Sequence, residues 1–482
     1  MDELTKAAVK AAMSAGASYA DARFVDTFSE RVHTKNGAAD AMTSSRSRGV
    51  GVRVIADGAW GFAATASLEG SDIASTARHA VELARAAATT LKDPVKLADL
   101  EPAVDEVYAQ VVKDPRDVPL EDRLALLMQC DSEMRRSGVA LAEGHIRVLH
   151  EEQHFASSDG ASIYQERIET GGGIEATAVS DDDAQTRTDP GSHGGQMMSR
   201  GWEVIEELDL PSKAARVGEE AVQLLSAPQC PSGQMDLILT GGQLALQLHE
   251  SCGHPIELDR VLGTEASYAG MSFLTVDKLG SFRYGSEKVN VTADATLPGG
   301  LGSFAYDDEG VPAQCIDIVK NGVFVGYLTS RETAAEIGLT AGGGAMRADG
   351  WGSLPLIRMT NVNLLPGEMS LEEIIASTER GIIMGENTSW SIDDKRLNFQ
   401  FGCELGQLIE DGRIVGIVRN PTYTGITPRF WGSCDAVADA TTWKVWGVPN
   451  CGKGEPGQCA RVGHGVSAAR FRNVTVGVLG NE

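Results

Sequence analysis

The sequence has no Cys-x-x-Cys pair among its eight cysteines, which excludes zinc-ribbon folds. It has no apolar run of membrane-span length. Its opening residues, MDELTKAAVKAAMSAG, read as a surface amphipathic helix and lack the apolar core of a secretion signal. It also lacks an excess of positive charge. Forty-two Lys and Arg face 67 Asp and Glu, a formal balance of −25. Such a surface repels nucleic acid and anionic membrane, leaving peptides and small molecules as the expected ligands. The thiols are expected to be reduced and mostly buried, and the protein cytoplasmic.

What is present is a chain of 482 residues, enough for two or three domains. Residues 1–16 read as a helix, 18–67 as alternating strands with a hairpin turn at Asp57-Gly58, and 70–91 as a long helix. The order then repeats: helix at 119–137, strands over 139–180, helix at 211–226. This suggests a structural duplication within one α+β domain. Residues 181–197, DDDAQTRTDPGSHGGQM, read as an exposed loop. The segment APQCPSG, 227–233, marks the boundary, giving a 1–228 α+β domain with antiparallel strands and long helices, and a 229–482 mostly β domain. Asn321-Gly322 and Asp411-Gly412 signal hairpins in the second domain, and Ser370 caps a helix over 370–379.

The chemistry concentrates in TGGQLALQLHESCGHPIELD, 240–259. Two imidazoles and a carboxylate, His249-Glu250-x-x-x-His254, suit a divalent metal and a base. The histidines are five apart, about 140° around an ideal helix, so an undistorted helix cannot aim both at one ion. Thr240 and Gln243 have capping-box spacing and predict the helix start. Gly253 is expected to end the helix in a left-handed conformation, with Pro255 pushing His254 out of the α region. The third ligand is open on spacing alone: Cys252, Glu257, Cys451, Cys459 and His464 all compete.

Other signals are weaker. GVPNCGKG, 447–454, begins like a phosphate-binding loop but places Gly454 where the magnesium-binding hydroxyl belongs, and no helix follows. His150 and His154 flank two glutamates in a period-two segment, so alternate residues face opposite sides. Asp307-Asp308-Glu309 lacks the remaining ligands of a calcium loop.

LHESCGHPIELD resembles the HExxxH segment of the TldD/PmbA metallopeptidase family, in its TldD-like branch. The likeness continues through DATLPGGLGSFAYDDEGVPAQC (294–315), NGVFVGYL (321–328), RMTN (358–361) and CGKGEPGQ (451–458). The resemblance implies zinc held by His249, His254 and Cys451, with Glu250 as the catalytic carboxylate. It also implies a cytosolic enzyme that cleaves unfolded or extended peptides, as a homodimer or beside a TldE/PmbA-like subunit lacking the motif. The chain departs from the family pattern at Ser251-Cys252 and near Cys459, which keeps both thiols as rival ligands. A non-catalytic peptide-binding or assembly subunit is the competing reading. The intact His249-Glu250-His254 set argues against it, because a binding subunit needs no aligned base.

Overall fold

The protein is described from a computed structural model over residues 1–191 and 195–477. It is a mixed α+β chain. Helices α1 (Asp2–Ser14) and α2 (Gly70–Ala88) bracket strands β1 (Tyr19–Lys35), β2 (Ala38–Ala56) and β3 (Ala59–Thr65). After the short β4 (Val104–Val107), α3 (Leu120–Arg135) opens a second set: β5 (Leu141–Ser157), β6 (Ser162–Val179), β7 (Ala184–Asp189) and β8 (Gln196–Met198). Helices α4 (Glu203–Leu208) and α5 (Leu210–Ser226) close it. All eight strands form one sheet, ordered β3-β2-β1-β5-β6-β4, with β7 and β8 also pairing with β6.

The two helix–strands–helix sets meet along the antiparallel pair β1–β5, from Asp21↔Ser157 to Lys35↔Glu143. Each set has its own small core. Ala8, Ala12, Ala77 and Ala80 pack with Val50 and Val52, whereas Cys130, Met134, Ala214 and Val217 pack with Ile174 and Ala176. The stretch 181–197 is not simply a loop. β7 pairs with β6 from Ile174↔Asp189 to Val179↔Ala184, so backbone pairing overrides its polar composition. Residues 192–194 of that stretch lie outside the described residues. The hairpin dipeptides behave as expected, with positive φ at Asp57 and Gly58, Asn321 and Gly322, and Asp411 and Gly412.

Downstream, β9 (Gly233–Leu239) lies inside a nine-stranded sheet, parallel to Arg380–Met384 and antiparallel to Ala469–Val476. It feeds directly into α6 (Gly241–Leu248), which carries the histidine motif at its end. A six-stranded sheet ends on the strand Lys444–Lys453, which pairs with Gln458–Val466. The 447–453 segment that began like a phosphate loop is therefore extended strand. Asp307-Asp308-Glu309 ties the first sheet to the second half. Asp308 pairs with Arg23 at 2.9 Å and Glu309 with Arg53 at 3.2 Å, all four side chains buried. Among the described residues no helix is long and apolar enough to cross a membrane.

Candidate metal centre

Helix α6 is buried along its length from Gln243 to Leu248. Leu244 and Leu248 are fully buried, each contributing about 1.5–3 kcal/mol. The expected capping box is not made. Thr240 is the N-cap but its side chain makes no capping bond, donating instead to the Met384 carbonyl, and the Gln243 amide donates to the Tyr423 hydroxyl at 2.6 Å. Tyr423 in turn donates to Gln247 at 2.9 Å, so both glutamines serve to pin the helix to the sheet.

The helix does not break at Gly253. It widens into one π turn, His249–Gly253, closed by the His254 N–H on the His249 carbonyl. An i→i+5 bond stacks residues five apart on one side. This removes the angular mismatch that an ideal helix imposes on His249 and His254. Gly253 and His254 both stay right-handed, despite Pro255. Gly253 is required for a different reason: a Cβ there would lie 2.1 Å from the Met359 sulfur. Side chains stabilise the widened turn. Ser251 Oγ donates to the Gln247 carbonyl at 2.5 Å, and Trp431 Nε1 donates to Ser251 Oγ at 2.9 Å. The Tyr284 hydroxyl donates to the Ser251 carbonyl at 3.0 Å.

The π turn and the strand Lys444–Lys453 bring His249, His254 and Cys451 together, all buried, with their ligand atoms within 4.8 Å of one another. Cys451 Sγ lies 3.4 Å from His249 Nε2 and 3.7 Å from His254 Nε2. Tetrahedral zinc, with bonds of about 2.05 Å to nitrogen and about 2.3 Å to sulfur, needs an N···S separation of about 3.6 Å. The residues therefore fit that ion.

The surrounding hydrogen bonds set the tautomers. His464 Nδ1 donates to the Val362 carbonyl at 3.1 Å, which leaves its Nε2 as an acceptor 2.8 Å from His249 Nδ1. His249 Nδ1–H fills that acceptor, so its Nε2 lone pair faces Cys451. Glu257 Oε2 accepts from His254 Nδ1 at 3.0 Å, so Nε2 is the His254 nitrogen turned to Cys451. Burial and the His249 charge hold His464 well below the ordinary imidazole range, consistent with a neutral acceptor.

Glu250 is buried beside this cluster in an ion pair with Arg396. Burial opposes its ionisation, but His249, His254 and Arg396 outweigh it and lower its pKa. Burial likewise opposes the Cys451 thiolate, yet His249, His254 and Arg358 hold this thiol well below its usual range. Burial disfavours charge on His254, but the Cys451 thiolate overrides it and raises its pKa to about 9.

Among the described residues, the rival ligands do not join this group. Cys252 is fully buried, and burial pushes its thiol up to about 12. Cys459 is exposed. His464 and Glu257 stand behind the two imidazoles. Gly454 closely approaches Tyr268, whereas a Cβ on Gly452 would meet open space. Sequence reasoning missed Lys453 and Arg396. Lys453 Nζ is buried 2.7 Å from Asp259 and 3.5 Å from Glu257, balancing their charge. The CGKG run contains Lys453 but drew notice only as the start of a rejected phosphate loop.

An α+β scaffold that buries two imidazoles, a thiol and a carboxylate around one point presents the kind of centre metallopeptidases use. The chain belongs to the PmbA/TldA metallopeptidase family: it matches the family's domain 1 over residues 20–88, its central domain over 113–227 and its C-terminal domain over 232–478. It is 30% identical to a metalloprotease of Methanothermobacter thermautotrophicus over 95% of each chain. It is 27% identical to the Haemophilus influenzae metalloprotease TldD homolog, over 89% of this chain and 86% of that one. With the Saccharolobus solfataricus zinc metalloprotease TldD homolog it shares 23% identity over 97% of this chain and 98% of that one. In fold it is similar to TldE from Thermococcus kodakarensis, with a TM-score of 0.74 and 17% identity over 98% and 100% of the two chains.

Proposed function

We propose that this chain is a zinc-dependent peptidase of the HExxxH-containing, TldD-like branch, acting on unfolded or extended peptides. His249, His254 and Cys451 hold the metal and Glu250 is the general base. The observation that carries the reading is the pair of hydrogen-bond relays that turn both Nε2 atoms to the Cys451 sulfur, at zinc spacing. When bound, zinc supplies a Lewis acid for the scissile carbonyl and acidifies water to a pKa of about 7. Glu250 takes the proton of the attacking water on a carboxylate oxygen and returns it to the leaving amine. Arg396 fixes the orientation of that carboxylate. Glu257 and His464 hold the imidazole rings.

The preference for extended chain follows from the edge strand. Lys444–Lys453 ends its sheet, and it carries Cys451 beside the open space at Gly452. Gln196 covers its Val445–Gly447 portion, and Arg358 donates to the Cys451 carbonyl. A peptide can add to such an edge as a strand, which a folded domain cannot. The working unit is a homodimer or a pair with a TldE/PmbA-like subunit, in the cytoplasm. The chain divides between residues 228 and 229, and limited proteolysis is expected to nick there first; resistance at that segment with cleavage elsewhere would move the boundary.

The test is zinc content together with cleavage of an unfolded protein and its folded form, with and without chelator. The reading predicts about one zinc per chain and chelator-sensitive cutting of the unfolded form alone. Metal binding without cleavage in either assembly would favour the non-catalytic subunit. No bound metal after zinc is supplied would remove the site.

A further inference from the structure

A cavity of about 260 Å³ lies between the first sheet and the hairpin that carries Cys451. Residues of β1, β5 and β6 form one wall; Pro449, Cys459, Ala460 and Arg461 form another. Five arginines line it: Arg23, Arg147, Arg167, Arg347 and Arg461. This is a concentration of positive charge in a chain whose formal balance is −25.

The local carboxylates do not account for all five. Asp308 takes Arg23 at 2.9 Å. Arg461 is held by Glu151 at 2.8 Å and Glu169 at 2.9 Å. Arg167 reaches Glu151 only at 4.0 Å. Asp349, also in the lining, accepts from the Cys459 N–H at 3.0 Å. Among the described residues, the Arg147 guanidinium makes no hydrogen bond or ion pair, and Arg347 makes no ion pair. Arg347 is buried; its terminal nitrogens donate to the Arg461 and Met359 carbonyls, and its Nε has no partner. Burial and the facing arginines push Arg347 down to about 9, and burial lowers Arg147 as well. Glu169 acts on Arg147 and Asp308 on Arg347 only at a distance, so neither guanidinium has a carboxylate in direct contact.

We infer that this cavity binds a small multivalent oxyanion, a phosphate or a di- or tricarboxylate. Guanidinium forks match the geometry of such groups and bond them more strongly than neutral partners. At about 30 Å³ per water, the space equals some eight or nine waters, room for either ligand. Ala460 in its wall is the cross-strand partner of Cys451, so an occupied cavity braces the strand that carries the thiol. The inference does not depend on the metal or on peptidase activity.

The experiment is calorimetric titration and thermal melting of the full chain with inorganic phosphate and with citrate, at constant ionic strength set by chloride. Saturable submillimolar binding of at least one, with a raised Tm, is expected. Arg147→Gln, which removes a side chain without a partner, should melt as wild type without anion and bind about tenfold more weakly or worse. Arg167→Gln is the second variant, with the same loss of anion affinity expected, should Arg147→Gln fail to fold. No saturable binding of either anion up to about 20 mM, far above the affinity such a site needs, would overturn the inference. So would wild-type affinity in the folded arginine variant.

Discussion

Replacing His464 by Ala tests whether its hydrogen bond to His249 serves the metal or merely fills space. In the wild-type chain His249 Nδ1 donates to His464 Nε2 at 2.8 Å, inside a buried site. Without metal, the variant's His249 can move its proton to Nε2 and bond the Cys451 sulfur, 3.4 Å away, so little is lost. With metal, Nε2 must be bare, and Nδ1–H is left buried without an acceptor. That costs about 1–3 kcal/mol. Because the cost falls mainly on the loaded state, it appears as weaker binding, about 10–100-fold, in the range known for partners of metal-bound histidine. Competition against a chromophoric chelator measures it, with metal-free melting as a control for packing. His464→Gln, which offers an amide oxygen, should recover part of the loss. Zinc affinity within twofold of wild type in a folded His464→Ala protein would refute the reasoning.

Glu250→Gln should keep its zinc and lose about 10²–10⁴-fold in cleavage, as expected for a general base. His249→Ala should lose both; wild-type turnover by Glu250→Gln would remove Glu250 from the reaction. Metal affinity should depend on pH through His254, whose metal-free pKa is about 9. Binding requires its Nε2 proton to leave, so apparent affinity should rise about tenfold per unit from about pH 6.5 to about 8.5 and level off above about 9. A flat profile over that range, measured with a pH-insensitive competitor, would contradict the assignment. Gly253→Ala should destabilise the chain by about 1–3 kcal/mol through its clash with Met359, read as a lower denaturation midpoint; unchanged stability would show that the π turn tolerates a side chain.

Much of this molecule was legible because the relevant signals are local. The hairpin dipeptides and the Ser370 cap each depend on a few adjacent residues. Asn36-Gly37, both at positive φ between β1 and β2, carried the same signal and was missed. The π turn was not legible. Its sequence offers Gly253 and Pro255, which read as a stop, whereas the bonds that hold it come from Tyr284 and Trp431, far along the chain. The same holds for Arg396 beside Glu250 and Lys453 beside Glu257. Charge pairing across long separations leaves no periodicity to read. Cys451 stood as one of several thiols until family resemblance singled it out, because only the folded hairpin brings it to the histidines.

The central claim is that one zinc sits between two imidazoles and the Cys451 sulfur. X-ray absorption at the zinc edge tests it directly, on the wild-type chain and on Cys451→Ala. The account predicts one sulfur at about 2.3 Å in the wild type. It predicts loss of that sulfur and of most of the zinc in Cys451→Ala, while Cys252→Ala and Cys459→Ala keep both. A sulfur scatterer that persists in Cys451→Ala would show that another thiol completes the site.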